Sequence, residues 1–396
     1  MKIKISSCLL FIYFLISLQS LGQEKYAPNV EEEVKRALKT LRKEKPELDE
    51  HKIVLLQREA LIASLPPSAP RPAEAPHPPQ PNLKGEPSSA AEKTKVIIKT
   101  YSVSSDDKLK LHNQYGNISV STWSKPEIRV QVEIKAFESS EGRAEELLGS
   151  VSINDSRVGN QISFVTSINR DNSGGSWWGI RRRNGQEERR GVQINYTVFM
   201  PAKLGLDVTN KYGAITLPNY SGPLSINSSY GSLNAEALAN PSNTVKVAYG
   251  SAKIESLNAG SLDISYGSLE LGRAEKIDAS VRYSSAEIKR ISGDCDLNLK
   301  YCSGFKIAEV DQRVKNLNVN AAYSSVKLGF DPAANFAFDV TVSYSGFKYD
   351  DRISAVLTTP TNSMGFQPTK NYKGQVGKRS DAKVVVNSRY GSVQFL

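Results

Sequence analysis

The chain has 396 residues, 39% of them hydrophobic and 23% charged, with a formal net charge of +10 at pH 7. That is long enough for a sizeable core, and the modest positive balance favours weak contact with polyanions such as acidic glycans or lipid head groups. Its three histidines, His51, His77 and His112, are scattered, which leaves a histidine-based triad or a zinc site almost without candidates.

Residues 1–22 read as a secretory signal. Lys2 and Lys4 open it, residues 9–18 are almost wholly apolar, and Ser20-Leu21-Gly22 offers small residues before a cut at Gln23. The apolar run falls short of the roughly 20 residues a spanning helix needs, so the mature chain is expected to carry no transmembrane helix. Cys8 precedes the apolar run, the wrong side for lipidation. The expectation is export to the periplasm, the outer surface or the medium. Removing both lysines with the signal lowers the formal charge to +8.

Residues 23–64 carry a helical pattern. Glu31-Glu32-Glu33 enriches a first turn, Val34, Leu38 and Leu41 recur at helical spacing, and Ile53, Leu56, Ala60 and Ala63 resume it after Pro46. The segment is too small to bury much surface alone, so it either docks elsewhere or is only partly ordered. A linker is expected over 65–94, where nine of the 22 residues from Pro66 to Pro87 are proline.

From residue 95 to 396 the pattern is β. A repeat-poor part, 95–205, holds the strictly alternating Ile128, Val130, Val132 and Ile134, further strands at 151–153, 161–166 and 192–199, and a short helix at 141–148. The connection 169–191 contains Trp177, Trp178, Arg181, Arg182, Arg183, Arg189 and Arg190. A connection that long is unusual unless it is functional or disordered. Tryptophan beside arginine makes it a candidate binding loop for an acidic glycan, a lipid interface or a protein groove.

Over 206–396 a tyrosine followed by two small residues recurs, at Tyr212, Tyr230, Tyr249, Tyr266, Tyr283, Tyr301, Tyr323 and Tyr344, with outlying copies at Tyr115 and Tyr390. The mean period between Tyr212 and Tyr344 is about 19 residues, which signals stacked units. In one copy Leu262, Ile264 and Tyr266 share one parity, whereas Leu269 and Leu271 have the other, so the chain must bend at Gly267-Ser268. The bend fits either a hairpin in an antiparallel meander or a corner in a single-stranded parallel β-solenoid. The solenoid is favoured, because Ser284-Ser285 and Ser324-Ser325 poorly replace a positive-φ glycine and because parallel coils would stack the tyrosines as a ladder. Around Tyr301 the copy has an extra residue, expected as a β-bulge at Lys300–Tyr301. Cys295 and Cys302 lie seven residues apart on extended chain, beyond disulfide reach, and are read as unpaired.

Tyr115-Gly-Asn-Ile-Ser-Val-Ser-Thr-Trp123-Ser-Lys-Pro126 followed by residues 130–134, with Asn210-Lys-Tyr-Gly-Ala-Ile-Thr-Leu and the later Tyr-Gly-Ser copies, resembles the putative-adhesin domain family of bacterial envelope proteins, in its Bacteroidetes-type members. The resemblance covers roughly 95–396 and implies an exported β-solenoid with an adhesin-like role. It supplies no catalytic residues.

No phosphate-binding glycine loop and no calcium-solenoid pattern is present, and Asp263, Glu270 and Glu287 sit at outward alternate positions. No catalytic residue, metal or cofactor is therefore expected. The functional expectation is a non-enzymatic, exported adhesin-like protein that binds an envelope glycan, a lipid surface or a protein partner, with no nucleic acid. The alternative is an envelope accessory or stress-response protein that binds a protein partner, and a polysaccharide-active β-helix enzyme stands more distant. The tyrosines are read as structural.

Overall fold

Alternate burial organises the described strands. In Leu224–Ser229 the residues Leu224, Ile226 and Ser228 are buried, and in Ser232–Leu238 so are Leu233, Ala235 and Leu238, with Tyr230 at the change of phase. The computed structural model describes residues 91–169, 179–183, 186–350, 353–359 and 367–396. The expected signal, helical segment and most of the proline-rich linker lie outside those residues.

The described residues are nearly all β, with parallel and antiparallel pairings in one extended sheet system. Leu224–Ser229 pairs in parallel with Gly205–Lys211 on one side and Asn243–Ala248 on the other. Ser232–Leu238 pairs in parallel with Ile215–Leu217 and with the first part of Ser251–Ser265. The strands before and after Tyr230 therefore pair with other units rather than with each other, so the tyrosine turn is not a hairpin. Strands before each tyrosine form one ladder and strands after it form another. Between them lies one continuous apolar core that includes Leu262, Ile264, Leu269 and Leu271.

Both ends depart from chain order. At the N-terminal end, Ala91–Ser102 runs antiparallel to Glu127–Glu138, which runs antiparallel to Gln186–Met200. Residues 196–200 then lie parallel to Ile118–Thr122, and Gln161–Ile168 lies parallel to Lys108–Gln114. The excursion between Tyr115 and Tyr212 thus supplies the outer neighbours of the Tyr115 unit, and the helix Glu141–Gly149 packs its buried Ala144 against it. The first strand begins at Ala91, inside the expected linker, because residues 91–94 pair with 135–138.

At the C-terminal end the last unit is inserted. Lys383–Arg389 pairs in parallel with Asn316–Ala322 on one side and Phe336–Ser343 on the other. Val393–Phe395 likewise lies between Val326–Phe330 and Phe347–Lys348. Thr369–Val376 then covers Phe336–Ser343 antiparallel. Here Phe395 meets Phe330 and Phe347, with each pair of ring centroids 4.9 Å apart, and Phe338 at 5.6 Å.

Two local expectations are corrected. The strand Cys295–Lys300 keeps unbroken register with its neighbours through Lys300, so there is no bulge at Lys300–Tyr301. Relative to the unit before it, the additional residue lies after Tyr301: Ser285 pairs with Gly304, whereas Arg282 pairs with Lys300. Extra length is absorbed at the corner, where it breaks no ladder bond, and a separate register shift falls between Ile307 and Val310. The bend itself is also differently made. The glycines after the tyrosines do not hold positive φ; the ten tyrosines do, at 51° to 62°.

Candidate binding surface

A side chain other than glycine at positive φ is strained by about 1–2 kcal/mol, and aromatic residues rarely adopt it. Ten tyrosines share the conformation here because backbone hydrogen bonds and ring stacking hold them in it. The Tyr266 N–H donates to Arg282 O at 3.1 Å, and the Tyr249 N–H to Ser265 O at 2.9 Å. Their rings stack at 4.8 Å with 4° between planes, and Tyr230 on Tyr249 repeats both values. The sequence of stacked rings is Tyr115, Tyr212, Tyr230, Tyr249, Tyr266, Tyr283, Tyr301, Tyr323, Tyr390, Tyr344. Tyr390 stands between Tyr323 and Tyr344 because the last unit is inserted there.

The residue after tyrosine is small for a steric reason. A Cβ on Gly250 would lie 1.8 Å from the carbonyl oxygen of Gly231, and one on Gly267 would lie 1.7 Å from that of Gly250. Serine takes this place at Ser284 and Ser324, and there its hydroxyl is used. Ser284 Oγ accepts the Gly267 N–H at 3.0 Å, and Ser324 Oγ accepts the Cys302 N–H at 2.9 Å.

All ten tyrosines are half-buried. Stacking covers the faces of the inner rings, so what the ladder offers is ring edges and hydroxyls. Sugar rings cannot stack on those faces. Cations flank it: Lys211 Nζ lies 4.9 Å from the Tyr212 ring centre, Lys300 Nζ 5.7 Å from that of Tyr301, and the Arg389 guanidinium 5.1 Å from that of Tyr390.

Beside the last five tyrosines lies an open concavity of about 470 Å³. Its lining includes Arg282, Lys300 and Arg389 from the row preceding the tyrosines, and Asn298, Asn320 and Asn387 from the next outward row. Arg282 donates two hydrogen bonds to Asp263, at 2.7 and 2.9 Å. Among the described residues, Lys300 and Arg389 have no carboxylate partner. Asn387 Nδ2 donates to Asn320 Oδ1 at 3.2 Å, so the amides form a short ladder of their own. The sequence carries no local sign of this groove, because Arg389 reaches it only through the inserted unit.

Of the expected binding loop, Trp177 and Trp178 lie outside the described residues. Arg181, Arg182 and Arg183 belong to the strand Gly179–Arg183, and Arg189 and Arg190 to Gln186–Met200. The two strands pair so that Arg181 lies opposite Glu188 and Arg182 opposite Glu187. Arg190 is ion-paired with the buried Glu138.

Cys295 and Cys302 are unpaired and buried. Burial pushes the Cys295 thiol up to about 12 and also raises that of Cys302. Buried acids are tied into structure instead. Asp311 accepts from Arg313 Nε at 3.0 Å and from Arg290 Nε at 3.1 Å, and Asp107 accepts from the Ser104 N–H at 2.8 Å and from Arg157. Among the described residues, no group of three histidine, cysteine, aspartate or glutamate side chains is placed to hold a metal ion, and no helix is long and apolar enough to cross a membrane.

No protein-family model matches the chain, and no curated protein does. Solved structures to which it is similar include a putative adhesin from Parabacteroides merdae, with 9% identity and a TM-score of 0.26 over 76% of this chain and 96% of that one. A putative lipid binding protein from Parabacteroides distasonis gives the same four values. A putative cell adhesion protein from Clostridium sporogenes has 12% identity and a TM-score of 0.19 over 76% of this chain and 99% of that one. At these scores the likeness carries no argument about this chain.

Proposed function

We propose that this chain is a non-enzymatic, exported, adhesin-like β-solenoid that binds a ligand of the cell envelope or the extracellular space along the side bearing the tyrosine ladder. One observation carries the reading. A half-exposed row of ten stacked tyrosines runs, over its last five members, beside a groove of amides in which Lys300 and Arg389 have no carboxylate partner among the described residues, a surface built by repetition rather than around a single reacting centre. The parallel register of successive units supports the solenoid. The strongest nucleophiles of the described residues, the two thiols, are buried and held as thiols, which supports a binding rather than a catalytic role. The loop with Trp177, Trp178, Arg181, Arg182, Arg183, Arg189 and Arg190 is proposed as a second contact.

The purified chain is to be tested against envelope glycans, lipids and whole-envelope extract, with and without residues 171–189. Retention on one envelope fraction is expected. No retention on any of them would overturn the adhesin reading, polysaccharide turnover abolished by one acid substitution would overturn the non-enzymatic one, and unchanged binding after the deletion would remove the loop from the site.

A second reading, an accessory protein that binds a protein partner, is favoured by the outer strand Ala91–Ser102. It pairs on one side with Glu127–Glu138, among the described residues it has no strand on the other, and Val96 and Ile98 are each 50% exposed. Such an edge suits strand addition by a partner. Recovery of one protein from extract, lost in a Val96→Lys/Ile98→Lys variant, would favour it.

A further inference from the structure

We infer that the groove beside Tyr301, Tyr323 and Tyr390 binds a linear acidic polysaccharide carrying one carboxylate per disaccharide; this rests on the adhesin-like reading above and specifies its ligand. Three observations carry it: the cations of the groove, their spacing and the row of amides beside them.

Three cations of the row preceding the tyrosines line the groove, Arg282, Lys300 and Arg389, and all are exposed. Asp263 occupies Arg282 through two hydrogen bonds. Lys300 and Arg389 are left to meet an anion. They are not adjacent: Lys300 is in register with Ala322, and Ala322 with Arg389. Two steps of about 4.8 Å between strands put their backbones about 10 Å apart, close to the advance of a disaccharide along an extended chain. Each cation therefore faces every second sugar, and the methyl of Ala322 between them leaves room for the uncharged one.

The outward row of Asn298, Asn320 and Asn387 follows the same register and supplies amide donors and acceptors at each step, suited to hydroxyls.

Other polyanions fit less well. Single-stranded nucleic acid needs aromatic faces for its bases, and the faces of Tyr301, Tyr323 and Tyr390 are taken by one another and by Tyr283 and Tyr344. A lipid surface needs an apolar element to insert, and the exposed apolar side chains Val96, Ile98, Val158, Val356 and Leu357 are absent from the groove lining.

Titration calorimetry of the purified chain with hyaluronan oligosaccharides, which carry one carboxylate per disaccharide, tests the inference. Oligogalacturonate, with one per sugar, neutral cello-oligosaccharides and phosphatidylserine vesicles serve as comparisons. Hyaluronan is expected to bind best, to weaken as salt rises, and to weaken about tenfold in Lys300→Gln/Arg389→Gln. Lys253→Gln, an exposed cation in the strand set after the tyrosines, is expected to leave binding within about twofold. Equal binding of oligogalacturonate would overturn the spacing argument. Binding by vesicles alone, or undiminished hyaluronan binding in the double variant, would overturn the site. Retention on envelope glycans that survives the double variant would overturn this ligand assignment and leave the adhesin-like reading standing, whereas no retention on any envelope fraction would remove both.

Discussion

Tyr266 and Tyr283 lie parallel to within 1°, their ring centres 4.9 Å apart, while their backbones hold φ of 56° and 51°. The stacking and the strained backbone belong together. A conventional φ would swing each side chain out of line with its neighbours. Conversely, an unstacked aromatic side chain would have little to hold it in the left-handed region. The cost of about 1–2 kcal/mol per residue and the gain of about 0.5–1.5 kcal/mol per ring pair are of the same size, so substitutions can separate them.

Tyr266→Ala removes two ring pairs and keeps the strained φ, and is expected to destabilise by about 1–3 kcal/mol. Tyr266→Gly removes the same pairs and relieves the strain. It should be more stable than the alanine variant by about 1 kcal/mol. Urea unfolding of the two variants measures the difference directly. Alanine at least as stable as glycine would show that the position is not strained.

The small residue after tyrosine makes a different demand, one of space. Gly250→Ala would push a methyl to 1.8 Å from a backbone carbonyl oxygen that is itself part of the neighbouring turn. A cost above about 3 kcal/mol or failure to fold is expected. Gly304→Ala meets nothing within 4 Å and should lie within about 1 kcal/mol of the parent. Thermal unfolding of the pair would show whether close approach, rather than glycine as such, sets the requirement.

These two positions show how far the sequence could be read. The tyrosine period and the switch of parity from Ile264 to Leu269 marked where the chain turns, because both follow from the two-residue alternation of a strand. Which residue turns was misassigned. The parity switch points to a bend at Gly267-Ser268, whereas the left-handed residue is Tyr266, just before it. The better signal was that the position after tyrosine accepts Ser284, Cys302 and Ser324, whereas the tyrosine never changes across the copies. The order Tyr323, Tyr390, Tyr344 had no local signal, since insertion of a distant unit depends on pairing between strands far apart in sequence. The groove was missed for the same reason: Lys300 and Arg389 become neighbours only through it.

Asp311 and Asp107 set an acid limit on stability. Arg313, then Arg290, hold Asp311 well below the usual carboxylate range against the opposing effect of burial, and the Ser104 N–H is the largest influence lowering Asp107. A carboxylate lowered on folding contributes stability above its unfolded value, near pH 4, and loses it as pH falls toward the lowered folded value. Asp311→Asn is therefore expected to be less stable than the parent at neutral pH and to approach it below about pH 3. Denaturation midpoints across that range would test it, and a constant gap would assign the effect to packing.

Cys295 and Cys302 offer a probe of local opening. With both thiols buried and raised, neither is expected to react with iodoacetamide in the folded chain at neutral pH, and both should react in denaturant. Mass spectrometry of labelled peptides distinguishes the two sites. Labelling of Cys302 alone in the native chain would mark the corner after Tyr301 as the first to open.

Removing residues 381–396 tests the inserted unit. In a chain stacked in sequence order this deletion would trim one end and leave Phe336–Ser343 paired with its predecessor. Here it removes the strand that joins Asn316–Ala322 to Phe336–Ser343, along with Tyr390 from between Tyr323 and Tyr344 and Phe395 from its aromatic cluster. The segment 331–376 would keep its own antiparallel pairing but lose its attachment to the rest of the ladder. Limited proteolysis should cut 331–380 rapidly while the strands from Gly205–Lys211 to Asn316–Ala322 stay protected. Protection of 336–376 in the truncated chain would show that this end holds without the insertion. Loss of protection throughout would mean instead that the inserted unit closes the cooperative fold as a whole.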